Sequence, residues 1–337
     1  MLGHDVKVLA ARFRSFGWDV LTIDGHKIGE ITAALSQIGK KGLPTVILAR
    51  TLKGKGVSFI EDKNGWHGKP LKAEELARAL EEIGEMPEIK AAKLVRKPKA
   101  VKAAKKAKMG TVTFPRTEYA GKAATRLAYG NALLSLGKVD PRVVVIDGDV
   151  KNSTYADKFF EAFPKRSFQS FIAEQNMVGM AVGLSARGYI PFAATFAAFL
   201  SRAHDQIRMA AYSAANIKIC GSHVGVSIGE DGPSQMGLED LAMVRTIPGC
   251  LVLYPSDAVS AEACVEEMAA HKGLSYIRTT RPATPILYGP EEKFPVGGCK
   301  VLKKAAGDRV TIIAAGITLH EALKARDILA GEGTGVR

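Results

Sequence analysis

The sequence predicts an α/β protein built from parallel sheets, with helices on both faces. Short apolar, β-branched runs such as residues 45–50 and 143–146 alternate with segments of helical pattern along most of the 337 residues. Strands that alternate with helices pair in parallel, because the helix is the crossover connection that parallel pairing needs. Hydrophobic residues make up 47% of the chain and charged residues 24%, which is typical of a globular protein with apolar cores.

The alternation can be followed in chain order. Before residue 85 it predicts strands at 19–24 and 45–50 and helices at 30–38 and 72–83. From residue 119 it predicts a complete doubly wound domain, with strands at 143–146, 217–220, 251–254 and 275–278, helices at 125–136, 155–163, 177–187 and 198–215, and further helices from about Gly237 and Asp257. Closer to the end it predicts a strand at 310–314 and a helix at 320–329.

These patterns divide the chain into four segments: an α/β region at 1–85, a linker at 86–118, the doubly wound domain at 119–286 and a further unit at 295–337. One strand and one helix cannot bury their own apolar faces. We therefore expect the last segment to be the start of a larger domain, and the chain to be a piece cut at both ends.

The linker carries most of the net charge of +13. Nine basic residues and no acidic residue lie between Lys90 and Lys108, with one proline and no aromatic ring for base stacking. Such a composition is typical of a solvated tether, whereas a nucleic-acid-binding domain presents a basic face. We expect no nucleic-acid partner.

Other features narrow the class of protein. No run approaches the roughly 20 apolar residues of a membrane helix, and the first residues lack the pattern of a signal peptide, so we expect a cytoplasmic protein without a membrane partner. The four cysteines contain no C-x-x-C pair, which argues against a zinc site or a disulfide framework.

Glu174 is the first candidate for chemistry. It lies among apolar residues and precedes a glycine-rich helix. A carboxylate in such surroundings suits proton transfer, and the equally weighted alternative is a helix N-cap. Phe196 and Phe199 follow three positions apart, and core packing is the commoner explanation of such a pair.

The loop at 223–235 is the second candidate. It combines His223, Asp231 and Gln235 with three glycines, a composition typical of a polar site. Arg278 and Arg281 follow a predicted strand, where guanidinium groups commonly hold phosphate.

Two further loops follow a strand in the first region. Lys53 and His67 stand beside glycines there, which suits contact with phosphate groups; the alternative is a pair of solvated turns. All of these loops lie at strand ends, the edge at which α/β folds bind ligands.

Six motifs occur in one order along the chain: Lys53-Gly-Lys-Gly, Gly-Trp-His67-Gly-Lys-Pro, Ala-Thr-Arg126-Leu-Ala-Tyr-Gly, Asp-Gly-Asp-Val-Lys-Asn-Ser153-Thr, Ile-Ala-Glu174-Gln-Asn and Gly-Ser-His223-Val-Gly-Val-Ser-Ile-Gly-Glu-Asp231-Gly-Pro-Ser-Gln235. Together they resemble transketolase, most closely the animal type. The resemblance covers almost the whole chain except the lysine-rich linker.

The resemblance implies a thiamine-diphosphate-binding fold with a diphosphate domain, a pyrimidine domain and a C-terminal domain. It implies a homodimer, with the cofactor between the first domain of one subunit and the second domain of its partner. The implied reaction transfers a two-carbon ketol unit from a ketose phosphate to an aldose phosphate in the pentose phosphate pathway. The implied cofactors are thiamine diphosphate and Mg²⁺ or Ca²⁺.

The resemblance also assigns residue roles. Glu174 corresponds to the glutamate that hydrogen-bonds the aminopyrimidine and promotes proton loss from the thiazolium carbon. The implied catalytic residues are Glu174, His67 and His223. The implied cofactor contacts are Glu174, Phe196, Phe199, Gln235, Lys53 and His67, and the implied substrate contacts are Lys53, His67, Arg126, Ser153, His223, Asp231 and Arg281.

The chain departs from the family pattern at the metal site. The Gly-Asp-Gly motif and the asparagine that follows it by about thirty residues are absent, so the resemblance assigns no metal ligand to this chain. Asp147-Gly-Asp149 matches a different family segment. We expect this chain alone to be inactive.

Three alternatives stay open. The first is a related thiamine-diphosphate enzyme, either deoxyxylulose-phosphate synthase or the β chain of a 2-oxo acid dehydrogenase. The second is a non-catalytic subunit or a half-enzyme that needs a separate polypeptide. The third is an incomplete gene or an expression fragment.

Overall fold

The computed structural model describes residues 5–84, 113–304 and 306–337, and most of the predicted linker lies outside them. The chain divides into two compact units, Met1–Lys99 and Ala100–Arg337. The second unit contains both the segment predicted as a doubly wound domain and the segment at 295–337. No helix in the described part of the chain is long and apolar enough to cross a membrane.

The first unit is a small α/β element. Its described elements are α1 (Val6–Ser15), β1 (Asp19–Asp24), α2 (Ile28–Leu35), β2 (Thr45–Arg50) and α3 (Ala73–Ile83). The strands β1 and β2 pair in parallel along their whole length. The sequence analysis did not anticipate α1, which begins where the Asp5 carboxylate accepts hydrogen bonds from the amides of Lys7 and Val8.

The second unit contains most of the regular structure. Its described helices are α4 (Thr125–Val139), α5 (Lys151–Thr154), α6 (Asp157–Ala162), α7 (Glu174–Ala186), α8 (His204–Tyr212), α9 (Asp240–Arg245), α10 (Ala258–Ala270) and α11 (Thr318–Gly331). Its described strands are β3 (Lys122–Ala124), β4 (Val143–Asp147), β5 (Ser167–Gln169), β6 (Ile190–Phe196), β7 (Lys218–Ser222), β8 (Leu251–Leu253), β9 (Ser275–Arg278) and β10 (Ala283–Pro285).

Six of these strands form one parallel sheet in the order β5-β4-β6-β7-β9-β8. Every residue of β4, β6, β7 and β9 is buried, because these central strands are covered on both faces. A separate antiparallel pair joins β3 to β10. The predicted class, an α/β protein with parallel strands, is confirmed.

The two faces of the sheet carry separate apolar cores. On one face Val145 and Phe192 pack against helices α4, α6 and α10. On the other face Ile146 and Ala193 pack against helices α7, α8 and α9. Neighbouring strand residues point to opposite faces, so this alternation confirms the prediction of helices on both sides.

Three local predictions differ from the structure. Residues 310–314 form no regular strand in the described chain: Val310 makes an isolated bridge to Val336, Ile312 and Arg337 add backbone hydrogen bonds between the same two segments, and Ile313 is exposed. The helix predicted at 198–215 begins as a 3-10 helix, Phe199–Ala203, and becomes α-helical only from His204. The helix predicted at 155–163 is present as α6 but begins only at Asp157, because Tyr155 has a left-handed φ of 59°. Apolar periodicity does not distinguish these short variants from a continuous α-helix.

Candidate functional site

The candidate site lies at the carboxyl edge of the six-stranded sheet. The register pairs Asp147 with Ala194, and Phe196 with Ser222, so β4, β6 and β7 end at a similar level. The polar residues that follow these strands therefore collect at one edge. This is the edge at which parallel α/β sheets bind ligands.

Glu174 is a buried carboxylate at the start of α7. It is 2% exposed, and its Oε2 atom lies 2.9 Å from Nε of Arg202. The N-cap residue is Ala173, and no side chain caps this helix, so the N-cap interpretation of Glu174 is wrong. Arg202 belongs to the 3-10 helix that begins at Phe199, so the ion pair ties α7 to that helix. The sequence predicts one helix over 198–215 and does not indicate the pairing of Arg202 with Glu174.

Phe196, Phe199 and His223 form an aromatic stack beside this 3-10 helix. The rings of Phe196 and Phe199 lie 5.1 Å apart at 23°, and those of Phe196 and His223 lie 3.8 Å apart at 21°. Phe196 is buried and Phe199 is partly exposed. The pair therefore lies against a polar ring and not only against apolar core, which distinguishes it from ordinary core packing.

His223 is a buried imidazole held in a constrained position. Its φ of 59° is left-handed, its Nδ1 atom lies 3.0 Å from Oγ of Ser222, and its Nε2 atom lies 3.9 Å from a carboxylate oxygen of Asp231. Burial lowers the pKa of His223 to about 4; the charges of Arg126 and Arg281 lower it as well, while Asp231 opposes them. The ring is therefore neutral near pH 7 and can hydrogen-bond a hydroxyl group.

Arg281 occupies the other side of Asp231. Its Nη1 atom donates to Oδ2 of Asp231 at 3.0 Å and to the carbonyl of Ile228 at 2.6 Å, and its Nη2 atom donates to Glu230 at 2.7 Å. Its side chain is 28% exposed, so the guanidinium reaches the surface. This contact joins the loop at 223–235 to the segment after β9.

Arg126 and Ser153 lie next to this cluster. Arg126 donates from Nη1 to the carbonyl of Ser153 at 2.9 Å and from Nε to the carbonyl of Arg281 at 3.4 Å. Burial lowers the pKa of Arg126, although an arginine stays charged near neutral pH. Two guanidinium groups thus come together from segments 155 residues apart, with Ser153 held at Arg126 by its backbone carbonyl, and such a pair of cations can bind an anionic group.

The remaining predicted residues lie elsewhere. Gln235 is partly buried in a short 3-10 helix, Pro233–Gln235, on the same loop as Asp231. Lys53 and His67 belong to the first unit, in the loops after β2, and both are exposed. The second unit thus brings together by contact Arg126, Ser153, Phe196, Phe199, His223, Asp231 and Arg281, with Gln235 on the same loop. Glu174 is linked to this group through Arg202, which lies on the 3-10 helix that begins at Phe199.

Arg278 is not a phosphate ligand, contrary to the sequence-based expectation. Its side chain is 8% exposed and forms hydrogen bonds from Nε and Nη2 to Asp240 at 2.7 and 2.9 Å. Nη2 also donates to the carbonyl of Gly237 at 2.9 Å. Arg278 therefore anchors the end of the site loop to β9, a role that no local sequence pattern indicates.

The side chains of the second unit fit part of a thiamine cofactor. A buried carboxylate with an adjoining aromatic stack suits a flat heterocycle with amino and ring nitrogens, which the Glu174 and Phe196–Phe199 region offers. Among the described residues, no group of three or more His, Cys, Asp or Glu side chains is arranged to hold a metal ion.

Two family models match the chain. The first is described as the transketolase thiamine diphosphate binding domain and matches residues 4–112; the second is the transketolase pyrimidine binding domain and matches residues 121–286. The transketolase of Rattus norvegicus is 48% identical over 338 residues, which cover all of this chain and 54% of that protein. The chain thus spans about half the length of the curated relatives it matches.

Two solved structures are also similar. One, described as "Split gene transketolase, inactive beta4 tetramer", is 43% identical, with a TM-score of 0.58 over 64% of this chain and 70% of that chain. The other, transketolase from Campylobacter jejuni, has a TM-score of 0.83 over 97% of this chain and 56% of that chain. At 24% identity, the second similarity establishes the fold alone.

Proposed function

This chain belongs to the transketolase family, and we propose that it supplies the pyrimidine-binding part of an enzyme that transfers a two-carbon ketol unit from a ketose phosphate to an aldose phosphate. The observation that carries the proposal is the continuous line of contacts from Phe199 and Phe196 through His223 and Asp231 to Arg281. It supports a single site with a ring-binding surface, hydroxyl-binding groups and a cationic end.

In this proposal each end of the line binds a different chemical group. Glu174 hydrogen-bonds the aminopyrimidine of thiamine diphosphate, and Phe196 and Phe199 hold its ring. When bound, that cofactor supplies an electron sink for the carbanion left by C–C cleavage. His223, neutral near pH 7, and Asp231 bind sugar hydroxyls.

The phosphate of the sugar is assigned to Arg126, Ser153 and Arg281. Two guanidinium groups offer charge-assisted hydrogen bonds to a phosphate dianion, which a hydroxyl-binding surface alone would not. Gln235 is assigned to the reacting centre, and Lys53 and His67 to the diphosphate and substrate oxygens. The ligands of Mg²⁺ or Ca²⁺ are assigned to protein outside this sequence, because the family motif for them is absent from it.

The wider assignments follow from the family. We place the complete enzyme in the pentose phosphate pathway of the cytoplasm, as a homodimer in which each cofactor lies between two subunits. A C2 arrangement of this kind is the commonest form of soluble oligomer.

The test is a ketol-transfer assay with thiamine diphosphate and Mg²⁺. The chain is measured alone and together with the parts of the rat relative that lie outside the match, with either fructose 6-phosphate or pyruvate as donor. Activity that requires fructose 6-phosphate and is lost in Glu174→Gln supports transketolase. A preference for pyruvate would instead favour one of the related thiamine-diphosphate enzymes, and near-normal turnover in Glu174→Gln would contradict the role of that carboxylate.

A second candidate is an obligatory half-enzyme. It is favoured by the 43% identity to a protein described as a split-gene transketolase in an inactive tetramer of one chain type. On this candidate the purified chain self-associates without activity and gains activity only with a second polypeptide. Size-exclusion chromatography of the chain with and without that polypeptide, run beside the same assay, separates the two candidates.

A further inference from the structure

Asp147 is a buried carboxylate that the proposed function does not use. It is the last residue of β4, and none of its surface is exposed. Its Oδ1 atom accepts a hydrogen bond from the amide of Val150 at 2.6 Å, and its Oδ2 atom accepts one from the hydroxyl of Thr154 at 2.9 Å. Both oxygens therefore hold the turn that follows the strand.

The turn after β4, here residues 148–154 and thus including the short helix α5, has an unfavourable backbone conformation at one of its residues and at the residue that follows it. Asp149 within it and Tyr155 directly after it have φ values of 69° and 59°, a left-handed conformation that is unfavourable for residues other than glycine. Within the turn, the amides of Ser153 and Thr154 donate to the carbonyl of Val150. The Asp147 carboxylate adds two bonds from outside the turn.

Residues at the end of this turn contact the side chain of Arg126. The carbonyl of Ser153 accepts from Nη1 of Arg126 at 2.9 Å, and the Arg126 guanidinium lies 5.3 Å from the centre of the Tyr155 ring. One helical turn further along α4, Gly130 packs against Tyr155 so closely that a Cβ atom there would lie 2.3 Å from the Tyr155 carbonyl oxygen. The position of Arg126 thus depends on the position of this turn.

We propose that Asp147 is a positioning residue for the substrate phosphate: it clamps the turn at 148–154 and so fixes Ser153 and Tyr155, which orient Arg126. The inference rests on the proposed function, because it takes Arg126, Ser153 and Arg281 as the phosphate site. Asp147 itself touches no proposed ligand group.

The positioning role and a purely electrostatic role of Asp147 predict opposite changes in anion affinity when its charge is removed. Removing a buried negative charge from this edge of the sheet would by itself strengthen anion binding. Removing a clamp would weaken anion binding, because Arg126 would lose its fixed orientation. The direction of the change therefore distinguishes positioning from charge.

The surroundings of Asp147 make the clamp sensitive to pH. Burial raises the pKa of Asp147 to about 6, the bonds from Val150 and Thr154 and the charge of Lys151 oppose that rise, and the charge of Asp149 adds to it. On the other side the buried phenol of Tyr129 and thiol of Cys220 face it, and burial raises the pKa of both, so both stay neutral. As the pH falls through about 6, the Asp147 carboxylate gains a proton on one oxygen. That oxygen becomes a weaker hydrogen-bond acceptor, so one of the two bonds to the turn is weakened.

The experiment measures the dissociation constants of the full chain for fructose 6-phosphate, fructose and inorganic sulfate. Sulfate serves as the probe of pH dependence, because its own charge is constant between pH 5 and 8. The variants are Asp147→Asn, which mimics the protonated form, and Thr154→Val, which removes one bond of the clamp. Asp140→Asn is the matched control, since Asp140 is a buried carboxylate beyond the opposite end of the same strand. Melting temperatures establish that each variant is folded.

At pH 7.5 we expect Asp147→Asn to weaken fructose 6-phosphate and sulfate binding about tenfold, and Thr154→Val to weaken it about threefold. Fructose binding and the Asp140→Asn control should not change. In the unmodified chain, sulfate binding should weaken below pH 6, and in Asp147→Asn it should be flat.

Unchanged or tighter sulfate binding in a folded Asp147→Asn, while Arg126→Ala abolishes it, would overturn the positioning role and leave the phosphate site intact. If Asp147→Asn does not fold, the same comparison is made with Thr154→Val, and unchanged or tighter sulfate binding in that variant would overturn the positioning role. If neither Arg126→Ala nor Arg281→Ala weakens fructose 6-phosphate relative to fructose, the phosphate site itself is wrong, and the positioning proposal falls with it.

Discussion

Asp240 offers the sharpest test of how the site loop is held. Its carboxylate, which is fully buried, accepts hydrogen bonds from Nε and Nη2 of Arg278 at 2.7 and 2.9 Å and from the hydroxyl of Tyr276 at 2.6 Å. The substitution Asp240→Ala removes all three acceptor contacts. It leaves a guanidinium whose side chain is only 8% exposed without its counter-ion.

The cost follows from burial. Removing one partner of a buried ion pair costs about 3–5 kcal/mol, because the remaining charge stays desolvated. A unit of roughly this size loses about 2–4 °C of melting temperature per kcal/mol, so we expect a fall of about 10 °C. The exposed pair Glu321–Lys324, in which both side chains are 69% exposed, provides the matched control. Glu321→Ala should cost less than about 1 kcal/mol.

The assay is urea unfolding followed by circular dichroism, with Asp240→Ala, Arg278→Met and the double variant Asp240→Ala/Arg278→Met. The double variant should be more stable than the sum of the single effects predicts, since it removes both charges together. A cost below about 1 kcal/mol for Asp240→Ala, or strict additivity in the cycle, would refute the buried-pair argument.

Three further predictions concern the site and its frame. Arg281→Ala should raise the KM for fructose 6-phosphate about 10–100-fold and leave an unphosphorylated donor nearly unaffected; equal losses on both would make Arg281 structural. His223 has a folded-state pKa of about 4 against an ordinary value of 6.5, so the unfolded state binds a proton first as pH falls. The stability that this difference contributes is present above pH 6.5 and is lost as the pH falls from 6.5 to 4. The free energy of unfolding of His223→Gln should therefore depend less steeply on pH in this range, and an unchanged slope would contradict the assignment. Gly130→Ala should destabilise the second unit by about 1–3 kcal/mol, because its Cβ atom would lie 2.3 Å from the Tyr155 carbonyl oxygen. An unchanged melting temperature would show that α4 can shift to accommodate the added Cβ atom.

Local sequence patterns predict the strands with β-branched residues. The runs at 45–50 and 143–146 form β2 and most of β4 because Val and Ile favour the extended backbone. Both faces of β4 are buried, whereas the residues of β2 are half-buried or exposed. The pattern missed β6, whose sequence Ile-Pro-Phe-Ala-Ala-Thr-Phe contains a proline and two alanines. Its strand conformation comes from pairing with β4 and β7 on either side, which no local pattern reports.

The reverse case is the segment at 310–314. Its Val-Thr-Ile-Ile-Ala sequence has strong strand propensity, yet its described backbone partners are limited to residues 335–337, through the bridge from Val310 to Val336 and the bonds between Ile312, Val310 and Arg337. A strand requires a regular ladder of such bonds along its length, and propensity alone does not supply one.

The sequence by itself determined the α/β class and the residue types at the carboxyl edge of the sheet, because both follow from short-range periodicity and from short motifs. Only the tertiary structure decided which polar groups meet. Arg278 and Arg281 stand three residues apart, yet one is buried on Asp240 and the other reaches the surface beside Asp231. Arg278 is the last residue of β9 and Arg281 lies in the loop beyond it, and their partners lie 38 and 50 residues away along the chain, so folding alone brings them into contact.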